Sequence, residues 1–137
     1  MVDPDADGDP DVFGCKLNGG TTSCFLLTNN GTAGFTQTFS AVLAGNPIAT
    51  TTAIGDAANR DLLDDVVVGF DDGSVLLFPN NGASGYAAPL AVYSTAGAEP
   101  ISALAIGDTR YLPAPSPFPF SCLFKLLFGS TSQLSTI

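Results

Sequence analysis

The chain has no histidine and no tryptophan, one methionine and only four basic residues. Without histidine, Ser-His and Cys-His nucleophile schemes are excluded, and the reading is a protein that is not an enzyme. A hydrolase built on paired carboxylates is the remaining catalytic option, but the acids here fall in metal-loop spacing. The four cations, Lys16, Arg60, Arg110 and Lys125, lie far apart against a net charge of −9. Counterion release from phosphates needs clustered Lys and Arg, so nucleic acid is excluded as a partner. A single Glu stands against twelve Asp, and the usual helix builders are scarce, which argues against long helices. No uncharged apolar run reaches the roughly 18 residues of a spanning helix, so no membrane span is expected. The most apolar piece, residues 118–128, is short and interrupted by Lys125. No basic, apolar leader opens the sequence: a signal lies outside it or has been removed, or the chain is a fragment.

What is present points to strands. Of 137 residues 45% are hydrophobic and 12% charged, which is enough apolar material to bury a core. Val, Thr and Phe recur between turn residues, and there are 15 glycines. The expected fold class is all-β.

Internal repetition organises the chain. Thr28-Asn-Asn-Gly-Thr-Ala-Gly-Phe35 returns 51 residues later as Pro79-Asn-Asn-Gly-Ala-Ser-Gly-Tyr86. Ala53-Ile-Gly-Asp56 returns after 52 residues as Ala105-Ile-Gly-Asp108, and Asp11-Val12 after 54 as Asp65-Val66. The second repeat predicts four strands, at about 51–55, 65–70, 74–78 and 88–94. An Asp72-Gly73 turn joins the middle pair, because Asp-Gly tolerates the positive φ of a tight hairpin. Val66-Val67-Val68 is apolar on both faces and should be covered on both. Stacked four-stranded units of this kind are the pattern of propeller blades. The expectation is therefore two four-stranded antiparallel, propeller-blade-like repeats with a Pro-rich C-terminal tail. Repeat 1 spans 1–48 and lacks its first strand, and repeat 2 spans 49–100. Residues 101–137 start a third unit at 101–108, followed by a Pro-rich connector and an apolar tail.

Asp3, Asp5, Asp7, Asp9 and Asp11 fall at alternate positions, with Gly8 at the sixth. That spacing lets a curled loop aim carboxylates at one point, and the glycine permits the sharp turn calcium loops need. An EF-hand is excluded, since its twelfth position requires Glu and here holds Gly14. The second Asp cluster, with Asp56, Asn59, Asp61 and Asp65 as possible ligands, has one extra residue and places Leu62 at the turn position. Leucine at positive φ is costly, and Arg60 offers pairing with Asp56 or Asp64 instead of metal.

These residues resemble the FG-GAP / VCBS repeat family, to which integrin α-subunit propellers belong. The resemblance covers about residues 1–108. It rests on residues 3–12, on Ile54-Gly-Asp56 with Asn59, Asp61, Asp65 and Val66, and on the Asn-Asn-Gly turns followed by Phe35 or Tyr86. It implies that Asp3, Asp5, Asp7 and Asp11 are side-chain calcium ligands and that Asp9 offers its backbone carbonyl. It also implies an extracellular or cell-surface protein serving adhesion, ligand recognition or display.

A two-residue turn at Gly19-Gly20 sets Cys15 opposite Cys24, which favours a cross-strand disulfide over two buried thiols and fits an oxidising compartment. Cys122 is left over, free or intermolecular. Asn30-Gly-Thr32 is a glycosylation sequon placed in a turn. Residues 113–119 should form a polyproline II connector, leading to an apolar segment at 121–128.

Two units cannot close a propeller, which needs four or more. The functional expectation is a calcium-stabilised structural or adhesive module that self-associates into a homo-oligomer or fibre by strand exchange. The alternative is a fragment of a larger ligand-binding propeller that recognises protein or glycan.

Overall fold

The computed structural model describes residues 2–32, 34–58, 61–82, 85–94 and 99–106, together with two short strands at 127–129 and 134–136. The fold is all-β, built from two antiparallel sheets. In the first, β1 (Val12–Asn18), β2 (Thr21–Asn29) and β3 (Phe35–Leu43) lie in that order. In the second, β4 (Ala49–Gly55), β5 (Asp65–Phe70), β6 (Ser74–Phe78) and β7 (Leu90–Ser94) do the same. Strands β8 (Leu127–Gly129) and β9 (Leu134–Thr136) pair with each other. The second sheet has four strands and the first has three, as expected for a first repeat that lacks its opening strand. Its place for a fourth is marked by a single bridge, Val2 to Asp11.

Turn chemistry sets the register. Gly19 and Gly20 both adopt positive φ, at 59° and 78°, and form the two-residue turn that aligns Cys15 with Cys24. Those cysteines are joined in a disulfide. The β5–β6 turn is one residue longer than the predicted Asp72-Gly73 dipeptide. Asp71, Asp72 and Gly73 form a three-residue loop in which only Gly73, at φ 79°, is left-handed. The Asp72 carboxylate closes it by accepting from the Ser74 amide at 2.9 Å.

The sheets meet face to face. Cys24, Leu26 and Leu43 of the first pack against Val66, Val68, Phe70 and Phe78 of the second, with Val2 and Tyr86 closing the layer. Four aromatic rings knit this interface edge to face: Phe13 lies 5.1 Å from Phe78 and 5.2 Å from Tyr86, and Phe39 contacts the same two rings. Each such large side chain contributes roughly 1.5–3 kcal/mol by leaving water.

The far face of the second sheet, Val67, Val75 and Leu77, is buried under Ile101, Leu104 and Ile106. This double cover explains why every residue of β5 is buried, as the valine run predicts. Residues 101–106 serve here as a packed cover and form no strand of a third sheet; Ala103 makes an isolated bridge. Gly69 makes room for them, since a Cβ there would stand 2.6 Å from the Ile101 side chain. Residues 107–108, the proline-rich connector at 113–119, Cys122 and the tail up to 126 lie outside the described residues.

Candidate functional site: two Asp loops

The first Asp loop runs from Val2 to Asp11 and is closed at its base by paired backbone bonds. Asp11 N donates to Val2 O at 2.7 Å, and Val2 N to Asp11 O at 3.3 Å. Within the loop, carboxylate oxygens of Asp3, Asp5 and Asp7 lie within 4.8 Å of one another. The backbone curls around them. Gly8 N donates to Asp3 Oδ2 at 3.2 Å, and Asp9 N donates to Asp7 Oδ1 at 2.9 Å. Gly8 has φ 90° with open space around its missing Cβ, so glycine is needed there for conformation rather than for room.

Asp11 differs from its three companions because it is fully buried. Its Oδ1 accepts from Asn29 N at 2.7 Å. Its Oδ2 is buried and has no hydrogen-bond donor. Burial raises the Asp11 carboxyl above the ordinary carboxylate range. The Asn29 amide opposes that shift, and the charges of Asp5, Asp7 and Asp3 add to it. Asp9 turns away from this group, its carboxylate lying against Gly31 in the neighbouring turn.

The second loop repeats the frame with a different interior. Gly55 pairs with Asp65 as Val2 does with Asp11. Asp65, also fully buried, accepts Asn80 N on Oδ1 at 2.8 Å, the counterpart of the Asn29 bond. Its Oδ2, however, accepts two further amides, Ala57 N at 2.7 Å and Ala58 N at 2.5 Å. Asp56 Oδ2 accepts from Leu62 N at 3.2 Å, and Asp61 Oδ1 from Leu63 N at 3.1 Å. Asp56 Oδ1 is buried with no donor. Leu62 takes the left-handed conformation at φ 68° and is 85% exposed. Asn59 and Arg60 lie outside the described residues.

The sequence reading missed the asparagines beneath these loops. Asn29 and Asn80 open the repeated Asn-Asn-Gly turns, and each gives its backbone amide to the buried Asp of its own loop. Each side chain does further work: Asn29 Nδ2 donates to Pro10 O at 3.4 Å, and Asn80 Nδ2 to Asp64 O at 3.4 Å. Their trace in the sequence is that the Asn-Asn-Gly turn recurs once per repeat, as the Asp does, though far from it along the chain. The next turn residue, Asn30, is exposed, and its Oδ1 accepts from Thr32 N, Thr32 Oγ1 and Gly34 N.

Compared with protein-family models, curated proteins and solved structures, the chain matches none. No helix among the described residues is long and apolar enough to cross a membrane.

Proposed function

We propose that this chain is a non-catalytic, calcium-stabilised β-repeat module of the extracellular or cell-surface kind, akin to the FG-GAP / VCBS repeats its loops resemble. The observation that carries the reading is the unpartnered Oδ2 of buried Asp11, whose carboxyl lies outside the close Asp3–Asp5–Asp7 group but feels the charges of all three. A buried, donor-less carboxylate oxygen costs on the order of 1–3 kcal/mol, more when charged. In the second repeat the same oxygen is met by two amides; in the first, a hard divalent cation supplies the missing positive charge. Asp3, Asp5, Asp7 and Asp11 would hold it by their carboxylates. Asp9 would contribute its backbone carbonyl, in keeping with a side chain directed elsewhere. Calcium accepts this all-oxygen set and tolerates its irregularity, whereas magnesium demands near-octahedral order. The Cys15–Cys24 disulfide suits an oxidising compartment, and the exposed Asn30 turn suits glycan attachment there. Isothermal titration of the full chain with calcium tests the reading: one equivalent should bind, and absence of binding up to roughly 10 mM, above the weak extracellular range, would end it.

Self-association is part of the same proposal. Strand β1 is an edge, met on its outer side only by Val2 among the described residues. On this edge strand itself, Val12 and Leu17 are left exposed. An open edge next to apolar surface is a template for another chain. The exchanging segment, residues 101–106, packs on its own second sheet, so exchange requires its release. Sedimentation at rising concentration should show species larger than a monomer, and a monomer throughout would refute exchange. The alternative role, part of a larger propeller that recognises protein or glycan, would instead give a monomer with ligand affinity.

A further inference from the structure

The second repeat touches the cation loop of the first through one buried side chain. Asn80 is 2% exposed and anchored on three sides. Its backbone N donates to Asp65 Oδ1, its Oδ1 accepts from Gly82 N at 2.9 Å, and its Nδ2 donates to Asp64 O. The same Nδ2 also reaches Pro4 O, at 3.5 Å, inside the Asp3–Asp5–Asp7 loop. Asn29 makes the equivalent bonds within its own repeat, so the link to Pro4 is what Asn80 adds. Pro4 is itself buried, and Val2, at the loop's base, shares a core layer with Tyr86, the bridge partner of Asn80.

We propose that Asn80 is a positioning residue for the cation loop of the first repeat, so that calcium binding and the seating of the second sheet on that loop are coupled. This rests on the calcium reading above. Asn80 touches no ligand carboxylate of the first loop. It fixes the backbone between Asp3 and Asp5, and with it the direction from which both carboxylates approach the ion. Because binding free energies are reciprocal, calcium must strengthen the Asn80 contact by the same factor that the contact strengthens calcium binding.

The test is isothermal titration of the full chain with calcium chloride for wild type, Asn80→Ser and Thr50→Val. Groups that orient metal ligands commonly contribute 10–100-fold to affinity; Asn80→Ser should weaken calcium binding roughly tenfold, at the lower end. Thr50→Val loses only the hydroxyl donations to Gly69 O and Ile101 O, where residue 101 covers the second sheet. It should lower the melting temperature while leaving calcium Kd within about twofold, as expected for a residue that merely supports the fold. If wild type binds calcium and Asn80→Ser binds it equally well, the positioning role is refuted and the calcium reading stands. If wild type binds none, both fall. Should Asn80→Ser fail to fold, the side-chain amide resonances of wild type decide. The Asn80 signal must move on calcium addition while that of Asn18, at the far end of β1, stays; an unmoved Asn80 signal overturns the proposal.

Discussion

Asp11 and Asp65 occupy the same place in their repeats, and isosteric substitution of each should have opposite consequences. In Asp11→Asn the acceptor that meets Asn29 N is kept, while the buried charge on Oδ2 is removed. Without calcium that charge has no donor, and burial next to three carboxylates disfavours it. Apo Asp11→Asn should therefore melt no lower than apo wild type. In Asp65→Asn the two amides of Ala57 and Ala58 face an amide nitrogen instead of a carboxylate oxygen. Bonds to a charged group are worth about 1.5–3 kcal/mol each, so a loss of roughly 3 kcal/mol or more is expected, with or without calcium. For wild type, calcium at a hundredfold excess over Kd stabilises by about 2.7 kcal/mol. In a chain of this size, that raises the melting temperature by roughly 8–13 °C. Asp11→Asn should lose most of this rise, and Asp65→Asn should keep it. The assay is thermal unfolding followed by far-ultraviolet circular dichroism, in chelator and in roughly 10 mM calcium, a hundredfold excess if Kd lies near 0.1 mM as in extracellular modules. Identical melting of wild type in both buffers would refute the reasoning, as would two variants that respond to calcium alike.

Other perturbations probe the frame around these loops. Leu62→Gly should raise stability by about 1 kcal/mol in a chemical denaturation curve, because leucine at φ 68° is strained and this one is 85% exposed. Non-reducing peptide mapping should recover Cys15 linked to Cys24, and reduction should cost roughly 2–3 kcal/mol for so short a loop; full alkylation without prior reduction would refute the link. Gly69→Ala should destabilise by about 1–3 kcal/mol, since the new methyl meets Ile101 and Thr51, and accelerated proteolysis after residue 99 would show that the cover has loosened.

Much of the fold is legible from local letters. Val66-Val67-Val68 announces a strand covered on both faces, and the structure buries it between the aromatic layer and residues 101–106. The diglycine turn aligns the cysteines because only glycine takes two successive left-handed conformations without strain. The strain at Leu62 is legible too, from the position that Gly8 fills in the first loop. The asparagine partners were hidden by distance: Asn29 lies 18 residues from Asp11, and Asn80 lies 15 from Asp65. No periodicity reports a contact across such a gap. The length of the β5–β6 loop escaped for a related reason, since Asp-Gly is equally at home in two- and three-residue hairpin loops.

The contrast between the two loops depends on backbone amides, which appear in no sequence pattern. Both loops begin and end on Asp and close on a backbone pair, and both receive an asparagine amide on the terminal carboxylate. The second is one residue longer and carries Leu62 where the first has its turn glycine. With that slack, the chain just after Asp56 folds inward and presents Ala57 N and Ala58 N to Asp65, so that two partial positive charges meet its Oδ2. The first loop has Pro4 directly after Asp3, and proline has no amide hydrogen to give. It therefore cannot complete Asp11 by the same route at that position. One proline and one inserted residue are enough to divide the repeats at the terminal carboxylate: the second loop satisfies both oxygens of Asp65 while leaving Asp56 Oδ1 without a donor, and the first leaves Asp11 Oδ2 without one.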